Sequence, residues 1–195
     1  GAELRSIPVK YRTEKEGFFP YSRDPDTLAR PWAIPGTPGL EHRIGGLGKQ
    51  ENTGAVSYDP RNNQRMNDLR ALKVGRIAAE LPPVEVLGPP RGELLVIGWG
   101  GTHGAITSAV EEARNDGLPV SAVHLRHLNP LPSNLGDVLA GFEKVLVAEL
   151  NLGQLTRLLR DRYLVPAGLL SKVEGQPFKV SEIRARIEHE LGREA

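Results

Sequence analysis

The run LLVIGWGGTHGAITSAVEEA, residues 94–113, decides how this chain is read. Four consecutive apolar residues, Leu94 to Ile97, fit a strand buried on both faces, as in a parallel sheet. Gly98, Gly100, Gly101 and Gly104 make a turn, and from Ala105 apolar residues recur at helical spacing. A strand, a glycine turn and a helix in that order open a βαβ unit. They raise the question of whether the turn holds a phosphate.

The dinucleotide fingerprint G-x-G-x-x-G assigns each glycine its own steric duty. Counted from Gly98, its third position falls on His103. The next strand ends in HLRHLNP, without the acidic residue that meets a ribose. No Gly-Lys-Ser/Thr follows, so the turn is no Walker loop either. Two readings stand: a tight connection capped by Thr102, or an anion site at the helix start built from Gly100, Gly101, Thr102 and His103.

Beyond this unit the alternation continues. PVSAVHLRHLNPLP holds a second strand, NLGDVLAGF a short helix and KVLVAELN a third strand. LGQLTRLLRDRYL follows as a helix, GLLSKVEG as a fourth strand and VSEIRARIEHELG as a last helix with Ser181 at its N-cap. Residues 87–195 therefore predict an α/β domain: an open, mostly parallel sheet with helices on both faces. Upstream, Asp59 and Pro60 start a long helix over 58–81, with Met66, Leu69, Lys73, Ile77 and Leu81 on one stripe. The Pro82-Pro83 pair ends it, and VEVLGPPRG is a linker or short edge strand within 58–86. Residues 1–57 form an irregular arm rich in Gly and Pro. It carries Phe18, Phe19, Tyr21, Trp32 and Ile34, more aromatic content than disorder usually shows, which suits packing on another surface.

Composition narrows the function. Twenty-five basic residues balance twenty-four acidic ones, giving a net charge of +1, so no bulk charge points to nucleic acid or an anionic membrane. Cysteine is absent, which excludes disulfides, thiolate zinc sites and iron–sulfur ligation by this chain. No apolar run reaches the roughly 18 residues of a membrane span, and the N-terminus has no apolar signal core, so a cytoplasmic protein is expected. The chain opens without an initiator Met, which fits a processed start and a piece of a longer chain equally.

Candidate chemistry is sparse. His124 and His127 flank Arg126 near a strand end, but no third ligand at a recognisable spacing makes them a metal site. Glu149 closes the third strand, where it can cap the next helix, pair with Arg126, or act as an acid/base group. No catalytic residue is assigned, and none as a metal ligand. In the arm, Arg23 and Arg30 sit among glycines and prolines. Arginine pairs with carboxylates in a bidentate way, so an organic acid or a neighbouring domain's carboxylates are the targets to expect.

The runs FFPYSRDPDTLARPWAIPGTPGLEHRIGGLGKQENTGAVSYDP, LLVIGWGGTHGAI, HLRHLNPLPSNL, KVLVAELNLGQL and KVEGQPF carry a resemblance over nearly the whole chain. They resemble the C-terminal part of the alpha subunit of 2-oxoacid:ferredoxin oxidoreductases, particularly the 2-oxoglutarate type (2-oxoglutarate synthase). The resemblance implies oxidative decarboxylation of a 2-oxoacid with coenzyme A, giving acyl-CoA and carbon dioxide while ferredoxin is reduced. It implies thiamine diphosphate, magnesium, an iron–sulfur cluster and CoA in the full complex, with no cofactor bound by this chain alone. The implied partners are a beta subunit, the alpha subunit's N-terminal domains and ferredoxin through the complex, in an oligomer without nucleic acid or membrane. Residues 87–195 then resemble the C-terminal domain of transketolase, Rossmann-like in outline yet structural in role. The family places an arginine ahead of a Pro-Gly corner to meet the substrate carboxylate, and Arg30 in LARPWAIPG is the nearest match, with Arg23 second. The family's Y-P-I-T-P-type motif and its thiamine-activating glutamate are absent here. A stand-alone nucleotide- or CoA-binding module and a non-catalytic interaction domain remain the alternatives.

Overall fold

A computed structural model describes residues 11–193. The first ten residues of the expected arm lie outside that range. The chain divides into two compact units at Ile77 and Ala78.

In the first unit, regular structure is scarce. Strands β1 (Tyr11–Arg12) and β2 (Trp32–Ala33) form a two-residue parallel pair. Helix α1 spans Pro60–Arg76, with a 3-10 turn over Ile77–Ala79. Asp59 caps it, its carboxylate accepting from the Arg61 N–H at 2.9 Å, and Pro60 stands where a missing N–H costs nothing. The buried stripe of α1 is shorter than the spacing predicts. Met66 and Leu69 are buried against Tyr21 and Leu28, whereas Ile77 is exposed. The arm is held by local turns and side-chain hydrogen bonds. Tyr21 pairs with Asn52 through the backbone and donates its hydroxyl to the Ile44 carbonyl at 3.0 Å. Asn62 grips the Lys49 carbonyl and the Glu51 N–H from α1.

The second unit is the predicted open α/β sheet. Its strands are β3 (Gly92–Trp99), β4 (Val120–Leu125), β5 (Phe142–Glu149) and β6 (Gly168–Ser171). They run parallel in the order β4-β3-β5-β6. Between them lie α2 (His103–Asn115), α3 (Leu135–Leu139) and α4 (Gln154–Tyr163), with α5 (Val180–Glu190) last. Alternate residues of β3 serve opposite faces. Leu94 and Val96 pack with Ile106, Ala109 and Val110 of α2 and Ile183 and Ile187 of α5. Leu95 and Ile97 pack with Leu135, Leu139, Leu155 and Leu159 from α3 and α4. All four β3 residues are fully buried, and each contributes about 1.5–3 kcal/mol. This two-sided burial is why the strand reads as an unbroken apolar run.

The connecting segment 82–91 is largely irregular. At Leu87 it makes an antiparallel bridge to Ala122, with N–H to carbonyl distances of 2.8 and 3.0 Å, along the outer side of β4. Asn134 fixes it further by bonding both the N–H and the carbonyl of Val84. One helix start differs from expectation. α5 begins at Val180, so Ser181 is already inside it. The cap comes instead from Glu182, whose carboxylate reaches back to the Lys179 N–H at 2.7 Å. The same carboxylate takes buried Lys172 at 2.8 and 2.9 Å, and these bonds hold the Glu182 carboxyl below its ordinary range.

Candidate functional site

The glycine turn resolves into packing. A Cβ on Gly98 would lie 2.2 Å from Ile106 Cδ1 and 2.3 Å from Thr102 Oγ1, so α2 crosses β3 where only glycine fits. Gly100 has φ +59°, the left-handed region that glycine tolerates. Thr102 does not cap α2. Its side chain is buried, and its hydroxyl donates to the Trp99 carbonyl at 2.9 Å. Of the turn residues, His103 faces a cleft, and Gly101 is exposed.

That cleft, about 520 Å³, opens beside the carboxyl ends of β3 and β4 and is lined by His103, Thr107, His124, Arg126, His127 and the 82–87 segment. Register places Gly98 opposite His124, which brings the His124 ring edge-to-face onto His103 at 4.8 Å. His124 Nε2 lies 3.2 Å from the Gly100 carbonyl. Burial holds the His124 imidazole below its ordinary pKa. The carbonyl opposes that shift, while His103 and Arg126 add to it.

Glu149 is fully buried at the end of β5 and serves α4. Its carboxylate accepts from the N–H groups of Leu155 (2.9 Å) and Thr156 (2.8 Å) and from the Thr156 hydroxyl (2.7 Å). Asn151 takes the N–H groups of Gly153 and Gln154. Together these side chains satisfy donors that a helix start otherwise leaves orphaned. Burial alone would raise the Glu149 pKa, but the bonds from Thr156 and Leu155 outweigh it and hold the carboxyl below its usual range. Glu149 is a cap, not a proton carrier.

A second cleft, about 530 Å³, lies wholly within the arm and brings Arg23 and Arg30 together. Arg12 joins them, a residue the sequence reading passed over. Phe18, Phe19 and Tyr11 supply aromatic wall. The guanidinium of Arg30 stacks over the Tyr21 ring at 4.3 Å, which fixes its plane. Arg23 donates from Nη1 to the Leu28 carbonyl at 3.1 Å, and its Nε is buried without a partner among the described residues. Burial, and then the charges of Arg30 and Arg70, lower the Arg23 pKa. Asp24, the carboxylate of the lining, is engaged by Thr27 and Asp26 of its own turn. The arrangement is a cationic pocket with aromatic sides, and its arginines suit a carboxylate. Leu28 adopts φ +56°, and its carbonyl is the acceptor that orients Arg23. Among the described residues no three His, Asp or Glu side chains lie close enough to hold a metal ion. No helix there is long and apolar enough to cross a membrane.

Comparison with known proteins sets the class. Residues 92–183, the α/β unit from β3 into α5, match the family described as pyruvate:ferredoxin oxidoreductase core domain II. The proteins it is similar to beyond this domain are subunits of 2-oxoglutarate and 2-oxoacid:ferredoxin oxidoreductases. It is 49% identical over 179 residues, 90% of its length, to 27% of the 2-oxoglutarate oxidoreductase subunit KorA of Mycobacterium tuberculosis. It is 28% identical over 145 residues, 71% of its length, to 23% of the 2-oxoacid:ferredoxin oxidoreductase subunit alpha of Saccharolobus solfataricus. Its fold superposes on 31% of a chain of 2-oxoglutarate:ferredoxin oxidoreductase from Magnetococcus marinus, solved with 2-oxoglutarate, coenzyme A and succinyl-CoA bound. That match has a TM-score of 0.81 and 29% identity and covers 90% of the present chain. The chain thus spans between about a quarter and a third of the relatives it matches.

Proposed function

We propose that the chain is the C-terminal part of the alpha subunit of a thiamine-diphosphate-dependent 2-oxoacid:ferredoxin oxidoreductase, of the 2-oxoglutarate type. The whole enzyme converts a 2-oxoacid and CoA to acyl-CoA and carbon dioxide and passes the two electrons to ferredoxin. Within it the α/β unit is scaffold and subunit interface, and the arm offers Arg30 and Arg23 to a carboxylate of the 2-oxoacid. The observation that carries this reading is the arm cleft, where Arg12, Arg23 and Arg30 of an irregular segment line one space. The names of the relatives at 49% and 29% identity support the choice of 2-oxoglutarate, whose second carboxylate gives a multi-arginine pocket its purpose.

The chain's own donors do not fit the redox and metal groups of such an enzyme. It has no cysteine for a cluster and no described acidic or histidine group for magnesium. Those groups belong, in this reading, to the alpha subunit's other domains and the beta subunit. Exposed Trp32, Phe19, Ile34 and Ile44 on the arm suit contact with such partners.

Thermal denaturation in the presence of single ligands tests the assignment. We expect 2-oxoglutarate to raise the melting temperature of the chain, and Arg30→Ala to abolish the rise. At 100 times its dissociation constant a ligand adds about 2.7 kcal/mol, or several degrees for a protein this size. A rise with NADH in place of 2-oxoglutarate would overturn the reading and restore a nucleotide-binding module.

A further inference from the structure

We propose that the cleft bounded by His103, His124, Arg126 and His127 is a second anion site, separate from the arm, that takes the phosphoryl group of a small phosphate monoester. The fold brings the groups together from two places, the start of α2 and the end of β4, because Gly98 pairs with His124 in the β3–β4 register. None of the four forms an ion pair among the described residues. The opening they border, about 520 Å³, is large enough for a small metabolite.

The number of donor-bearing side chains in the lining favours a phosphoryl group over a carboxylate. A carboxylate is satisfied by the fork of one guanidinium. Here Arg126, His103, His127 and Thr107 line one space, beside His124, whose Nε2 is met by the Gly100 carbonyl, and that number of donor-bearing side chains suits an oxyanion with three terminal oxygens. Glu85, on the 82–87 segment, is the one carboxylate of the lining. Its negative charge opposes any anion that enters. This proposal does not rest on the 2-oxoacid reading of the arm and stands or falls without it.

The test follows the histidine ring proton resonances of the 195-residue chain during titration at constant ionic strength. Inorganic phosphate, glycerol 3-phosphate and acetate are the probes. We expect both phosphates to move the resonances of His103, His124 and His127 together, and acetate to leave them in place. Arg126→Ala, at an exposed position that folding does not depend on, should weaken phosphate binding about tenfold, the worth of one charge-assisted hydrogen bond. Glu85→Gln should tighten it. Stronger binding of glycerol 3-phosphate than of free phosphate supports the monoester; equal binding overturns that part. Acetate acting as well as phosphate overturns the phosphoryl assignment. Unmoved histidines, or an affinity indifferent to Arg126→Ala, overturn the site.

Discussion

Glu149 carries more of the α/β unit than its single position suggests. Three donors of α4 converge on a carboxylate with no solvent exposure, so the charge is retained only while those bonds exist. Glu149→Gln replaces one acceptor oxygen with an amide that presents hydrogens to an N–H. The expected loss is about 1–3 kcal/mol, measurable by urea denaturation. The sign with pH follows from the lowered pKa. Above the ordinary glutamate pKa the stabilisation is fully present, and it is lost as pH falls through the lower folded value. Acid titration of the wild-type should therefore destabilise the protein more steeply than it does the Gln variant. The contrast with His124 is instructive. Glu149 has its donors built in, and His124 has one carbonyl with His103 and Arg126 beside it.

Single elements were legible to the degree that burial dictated their composition. β3 and β5 are buried on both faces, so they show up as apolar runs, and the Asp59-Pro60 start of α1 is written in the two residues that make it. Caps were harder. Thr102 and Ser181 have the right chemistry in nearly the right place, yet Thr102 turns inward to Trp99 and Ser181 is already the second residue of α5. A side chain's rotamer decides between these outcomes, and composition does not reveal it. The clefts were least legible because each joins distant residues. His103 meets His124 only through strand register, and Arg12 meets Arg23 and Arg30 only once the arm has folded. At the element scale, α1 is anchored by two buried residues. Met66→Ala should cost about 2–3 kcal/mol, a value typical of a buried methionine truncated to alanine. Hydrogen exchange of α1 amides should report that loss, with β3 and β5 amides unaffected.

On the scale of the whole molecule, the two units are stabilised by different physics. The α/β unit has two apolar layers on a four-stranded sheet, and among its described residues the first unit has one four-residue cluster, shared between the arm and α1, with turns and side-chain bonds. Native-state exchange should therefore show amides of β3 and β5 opening only with global unfolding. Amides of residues 11–57 should exchange many-fold faster through local opening. Equal protection in both regions would contradict this division.

The bridge at Leu87 has a consequence for association. A parallel sheet ends on strands with unspent backbone donors and acceptors, and such borders invite a neighbour's strand to add itself. Here the outer side of β4 is already engaged at Ala122 by the chain's own connecting segment, and the other border, β6, is only four residues long. Strand addition therefore finds little to grip on either side. Any association would fall to loops, helices and the exposed aromatic side chains of the arm, where side chains rather than backbone set the fit.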